Sequence, residues 1–232
     1  MANAPFEEQP DRADTEAIHT LVTRPVSAVR AAFALLGELL IVVGAVVGLF
    51  AAWLYWGQSP LPTAAQQRTN QRIQHAFRSG TSVPDGAVAL IRIPALGASW
   101  QYPVYEGTGF EQLSKGLAHY TGTTEPGRPG NFAVAGHRSS NTGFEPLADL
   151  PDDIRVGGQI LVDTASAEYI YQVTGTKQTN PSDVSVLRPD QGRGADPKPG
   201  LFTVTTCTPR YGSSGRFIVF ATLVRTAKEP TQ

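Results

Sequence analysis

LFTVTTCTPRYGSSGRFIVFATLV, residues 201–224, sets two runs of β-branched and aromatic residues around a cluster of Pro, Gly and Ser. Runs of this kind read as strands and the cluster between them as their connection. The expected strands cover 201–206 and 216–224, and Gly212 and Gly215 permit the turn. Working outward, similar short runs occur at 87–93 (AVALIRI), 100–105, 131–135, 159–163 and 168–176. Gly and Pro punctuate nearly every gap, and regularly spaced short strands with turn signals predict a β-barrel or sandwich. Short helices are expected in the connections at 110–115 and 144–150. Residues 187–200, LRPDQGRGADPKPG, read as a long mobile loop, a feature that in compact domains often serves function.

The chain has 232 residues and a formal net charge of −1, from 19 basic and 20 acidic side chains. That balance carries no nucleic-acid footprint. There is no CxxC, no HExxH and no carboxylate-rich calcium loop, so neither a structural zinc nor another metal or cofactor is expected. Residues 39–56, LLIVVGAVVGLFAAWLYW, are uncharged, and 31–37 extend them upstream across Glu38. About 20 apolar residues span a bilayer. Trp53, Tyr55 and Trp56 sit where an interface would be, Arg24 and Arg30 precede the segment, and the next basic residue is Arg68. The positive-inside rule then places the N-terminus in the cytoplasm and 57–232 outside the cell. A buried core helix or a cleaved signal peptide would read similarly, but the first is seldom apolar all round and the second has a shorter apolar region. The expected organisation is a cytoplasmic tail over 1–30, a transmembrane signal anchor over 31–56, a linker with a membrane-proximal helix over 57–85, and a globular domain over 86–228. Within the linker, 64–77 has a helical composition, with Ile73 and Phe77 on one face.

Cys207 is the only cysteine. It ends a strand and is followed closely by Pro209, so a thiol there is both rigidly held and reachable. A free cysteine is equally often a small buried hydrophobe. As a nucleophile it would need a proton carrier and a group to hold developing negative charge. Of His19, His75, His119 and His137, the last stands out because it too follows an apolar strand, NFAVA. Arg216 opens the strand after Cys207; if the strands are neighbours, its guanidinium comes near the thiol, and if not it is an ordinary surface arginine.

Taken together, these pieces resemble the sortase family. TVTTCTP at 203–209 is similar to the family's T-L-x-T-C signature, with Val204 in place of leucine, and Arg216 fits the downstream arginine. HYTGTTEPGRPGNFAVAGHR, 119–138, resembles the segment that ends in the family's histidine; IPALGASWQYPVYEGT and GFEPLADL also resemble their counterparts. The resemblance, over roughly 86–225, implies a closed eight-stranded β-barrel with short connecting helices. It also implies a membrane-bound cysteine transpeptidase that cuts a C-terminal LAxTG- or LPxTG-type sorting signal between Thr and Gly. By motif, Cys207 corresponds to the nucleophile, His137 to the acid/base and Arg216 to the substrate and oxyanion ligand. The HYTGT run and the N-terminal anchor are most similar to class E. Tyr120 is then a candidate for reading the second signal residue, unless it is a packing tyrosine. Thr206 is a candidate oxyanion support, and Ser139 and Ser140 candidates for the acceptor side. The implied partners are surface proteins bearing the signal, a peptidoglycan precursor amine and the lipid bilayer around 31–56. Two competing readings are a pilin-polymerising sortase with a lysine acceptor and a non-catalytic, membrane-tethered barrel that binds peptide or cell-wall polymer.

Overall fold

The computed structural model describes residues 28–56, 64–194, 196 and 200–227. The chain divides into two units, Met1–Gln58 and Ser59–Gln232. The described part of the first is one helix, α1 (Ala28–Trp56). At about 1.5 Å per residue it is long enough to cross the hydrocarbon core. The apolar span Ala28–Trp53 is not buried anywhere, and Phe33, Leu35, Leu39, Ile41, Leu49 and Phe50 stand exposed. An apolar surface left uncovered all round is not that of a core helix of a soluble protein.

The second unit opens with α2 (Ala64–Ser79), which confirms the helix expected over 64–77 and extends it by two residues. Then come β1 (Ala87–Arg92), β2 (Gln101–Glu106), α3 (Phe110–Leu113), β3 (Leu117–His119), β4 (Asn131–Ala135), α4 (Leu150–Asp153), β5 (Gln159–Asp163), β6 (Glu168–Thr179), β7 (Leu201–Thr208) and β8 (Gly215–Ala227). They close a barrel in the order β1-β2-β3-β4-β7-β8-β6-β5. The β2/β3 and β4/β7 pairs are parallel and the others antiparallel. Closure leaves no sheet edge unpaired. Inward-facing side chains, among them Ile91, Val104, Phe132, Val134, Tyr171, Phe202, Val204 and Val219, fill the interior. One face of α2 packs on the outside of the barrel: Ile73 and Phe77 pack with Ala87, Leu90 and Tyr105, and Asn70 Nδ2 donates to Gln101 O at 2.7 Å.

Seven of the eight strands lie where the residue pattern put them. The eighth, β3, has only three residues, too few for any alternation to register. Tertiary packing makes it a strand: Leu117 pairs with Val104 on one side and Ala118 with Ala135 on the other. Gly116 permits the approach, since a Cβ there would meet Pro103 O at 2.4 Å.

Two local expectations are corrected. Residues 144–149 are not helical; the helix in that region is α4, which begins at Leu150. Their groups are engaged in tertiary contacts instead. Phe144 packs edge-on against Tyr102, and Pro146 O accepts from Trp100 Nε1 at 2.8 Å. The segment over 110–115 is helical only to Leu113. The described part of 187–200 is tied to the barrel at several points. Gln191 is buried and its Nε2 donates to Phe202 O (3.0 Å) and Thr203 Oγ1 (3.1 Å). Asp190 accepts from the amides of Gly192 and Gly194, and the Arg193 guanidinium lies over the Phe220 ring. Ala195 and residues 197–199 lie outside the described residues.

Candidate active site

The site is built from strand register. Cys207 and Arg216 are direct partners in the antiparallel β7/β8 pair. Cα atoms of such partners are about 5 Å apart and their side chains share a face. Phe202 and Val204 point into the barrel, so Cys207, at the alternate positions of β7, faces outward. The same parity puts Arg216 outward on β8, two residues from Ile218 and opposite in facing to Phe217.

His137 comes from the other side of β7. Parallel pairing sets Ala135 beside Thr205. Gly136 N donates to Thr205 O at 3.1 Å, and Thr206 Oγ1 donates to Gly136 O at 2.8 Å. His137 comes two residues after Ala135, the last paired residue, at the end of β4 that runs toward Cys207 on the parallel β7. Cys207 and Arg216 are therefore paired across β7 and β8, and His137 follows the end of β4 on the other side of β7.

Their surroundings are polar and partly shielded. Burial lowers the His137 pKa, with the Glu145 carboxylate acting in the opposite direction. Arg216 Nη1 donates to Ser213 O (3.1 Å) and Gly215 O (3.0 Å), which leaves Nε and Nη2 for a ligand.

The secondary candidates divide. Tyr120 lies on the outer face beside β7, its hydroxyl 2.9 Å from Thr205 Oγ1. Thr205 and Cys207 share that face, so the tyrosine sits one side-chain step along the strand from the thiol. Thr206 points to the opposite face, its hydroxyl committed to Gly136 O. Its side chain supports the His137 segment and does not stand beside the thiol. Ser139 Oγ accepts the Tyr211 N–H at 3.1 Å, joining the segment after His137 to the turn after Cys207. Ser140 holds its own turn, its N–H donating to Glu145 Oε1 (3.1 Å) and its Oγ to Phe144 O (3.0 Å). His119 is buried elsewhere, between Glu106 (2.6 Å) and Thr123 (2.9 Å), and His75 is exposed on α2.

The sortase domain model matches residues 91–224, which covers the barrel from β1 to β8. Sortase SrtE2 of Streptomyces coelicolor is 31% identical over 225 residues, covering 88% of this chain and 87% of its own length. The chain belongs to the sortase family. Sortase SrtE1 of the same organism is also 31% identical, over 215 residues, though this chain spans only 59% of its length. Among solved structures, sortase E from Streptomyces avermitilis is 40% identical with a TM-score of 0.54, covering 61% of this chain and 90% of that one. The SrtF sortase from Corynebacterium diphtheriae is 30% identical with a TM-score of 0.57, covering 62% and 87%. This protein is thus a cysteine transpeptidase of the sortase family, with class E relatives, and its barrel is the sortase barrel.

Three site residues of this sortase escaped the sequence reading. Arg138, next to His137, is buried, its donors directed to Ala148 O (3.3 Å), Thr208 Oγ1 (3.3 Å) and Asp152 (3.4 Å). Arg210, in the turn after Cys207, reaches Glu145 (3.2 Å) and Asp149 (3.4 Å). Glu145 is thereby shared between Arg210, the Ser140 amide and the field at His137. Their signal in the sequence is faint: two arginines close to Cys207 and His137, with carboxylates in a segment of helical composition.

Proposed function

We propose that this sortase uses Cys207 as nucleophile, His137 as acid/base and Arg216 as the ligand of the substrate carbonyl and oxyanion. The observation that carries the reading is the direct pairing of Cys207 with Arg216 across β7 and β8, with His137 two residues past the end of β4, the strand on the other side of β7. Burial favours the neutral imidazole, so His137 takes the thiol proton as Cys207 Sγ attacks the threonine carbonyl of the sorting signal. The charge that develops on the carbonyl oxygen is held by the free guanidinium donors of Arg216. The Thr–Gly C–N bond then breaks, the glycine amine leaves with the proton from His137, and a thioester remains on Cys207. An incoming amine gives a proton to His137, attacks the thioester carbonyl and expels the thiolate. In this reading the signal is LAxTG or LPxTG, with Tyr120 beside the second residue, and the acceptor is an amine of a peptidoglycan precursor. Helix α1 anchors the enzyme, the N-terminus lies in the cytoplasm and the barrel works outside the cell. The exposed apolar span of α1 supports the anchor.

The full chain, given paired LAxTG and LPxTG peptides and an amine acceptor, should form a Cys207 thioester and Thr–Gly cleavage products by mass spectrometry. Both should vanish in Cys207→Ala. A folded enzyme that processes neither peptide, or a Cys207→Ala variant that still cleaves, overturns the assignment.

A further inference from the structure

Helix α2 has a face that the transpeptidase reaction does not use. Its sequence, AAQQRTNQRIQHAFRS, contains Arg68, Arg72 and Arg78 and no acidic residue. Asn70, Ile73, Ala76 and Phe77 turn toward the barrel, whereas Arg68, Arg72 and His75 recur at i, i+4 and i+7 on the exposed side. With Gln71, Thr81 and Ser82 they line an open groove of about 460 Å³. The one carboxylate between residues 64 and 86 is the exposed Asp85. Among the described residues, neither Arg68 nor Arg72 has a carboxylate within salt-bridge distance.

Guanidinium groups beside hydroxyl and amide donors form the chemistry that receives a phosphate. Chain length indicates which phosphate. Only residues 57–63 separate Trp56, at the end of α1, from Ala64, and a fully extended stretch of that length spans at most about 28 Å. A basic face so close along the chain to a membrane-spanning helix meets the headgroups of that same bilayer first.

We propose that the Arg68/Arg72/His75 face of α2 binds the phosphates of anionic lipid headgroups and thereby holds the barrel against the membrane surface. The proposal rests on the membrane-anchor reading given above. Each arginine near an anionic surface contributes roughly fivefold to surface association, so the pair contributes about 25-fold. The attraction falls with added salt, because charges at a surface are screened.

The test uses the full chain in lipid nanodiscs. An environment-sensitive dye is placed on Ala65→Cys, on the same side of α2, in a Cys207→Ala background so that one thiol remains. Quenching by a nitroxide on the lipid headgroups reports surface contact. Strong quenching is expected in discs of phosphatidylcholine mixed with phosphatidylglycerol, and weak quenching in phosphatidylcholine alone. Arg68→Gln/Arg72→Gln should shift the association equilibrium about 25-fold toward the unquenched state, and raised salt should do the same. Quenching independent of lipid charge and of both arginines overturns the proposal while leaving the anchor reading intact. A chain that does not co-elute with discs at all refutes the anchor and the proposal with it. Binding of soluble poly(glycerol phosphate) by the detergent-solubilised protein, with no response to disc composition, assigns the face to a phosphate polymer and also overturns it.

Discussion

Burial works against protonation at His137. Removing an imidazole from water disfavours its charged form, so its midpoint lies below the ordinary 6.5, and Glu145 partly restores it. The folded state then holds this proton less tightly than the unfolded chain. The contribution of His137 to stability is therefore present above pH 6.5 and lost as pH falls through the folded midpoint. Glu145→Gln removes the negative charge that favours the imidazolium. The His137 ring signal, followed by NMR against pH, should titrate below 6.5 in the parent and lower still in the variant, and the acid limb of kcat/KM should move the same way. An upward shift in Glu145→Gln would show that the carboxylate acts on His137 by some other route. Cys207 and His137 were legible as residues because each ends an apolar strand. Glu145 was not, because its influence depends on a fold-back of the chain that has no local pattern.

Elements carry the site by holding strands and turns at fixed heights. Beneath the outer face of β7, Asn131 Nδ2 donates to Val186 O (3.0 Å) and Arg188 O (3.2 Å), and Thr203 Oγ1 donates to Asn131 Oδ1 (2.8 Å). Asn131, Val186 and Thr203 are buried. Asn131→Ala leaves a carbonyl and a hydroxyl short of partners and should cost about 2–3 kcal/mol of stability in denaturant titration. A loss under about 0.5 kcal/mol would mean that water replaces the amide. The turn between β7 and β8 is held differently, by Arg210 on Glu145 and Asp149 and by the Tyr211 N–H on Ser139. Arg210→Ala cuts the tie between the nucleophile's strand end and the His137 segment. We expect kcat/KM to fall about tenfold or more and stability by about 1 kcal/mol, because the pair is only partly shielded from solvent. Unchanged kinetics would reduce Arg210 to a surface contact. The strands themselves were readable from β-branched runs. Over 144–149 the composition suits a helix, while contacts to Trp100 and Tyr102 decide its path.

At the scale of the whole molecule, a membrane-length helix and a closed barrel share one thiol. That single thiol reports topology directly. In intact cells expressing the full chain, a membrane-impermeant maleimide should label Cys207 without lysis, and Cys207→Ala should remove the label. Labelling only after lysis would place the barrel inside. The apolar span, seven strands, the family motif around Cys207 and the candidates His137 and Arg216 are legible without any coordinates. Each of these is written in contiguous residues, through composition, period or spacing. Long-range packing makes β3 a strand, turns Thr206 away from the thiol, and brings Arg138, Arg210 and Glu145 to the site. Those outcomes depend on which strands become neighbours and in what register. Register is set by the packing of the barrel interior, a property of all the strands at once and of no single stretch.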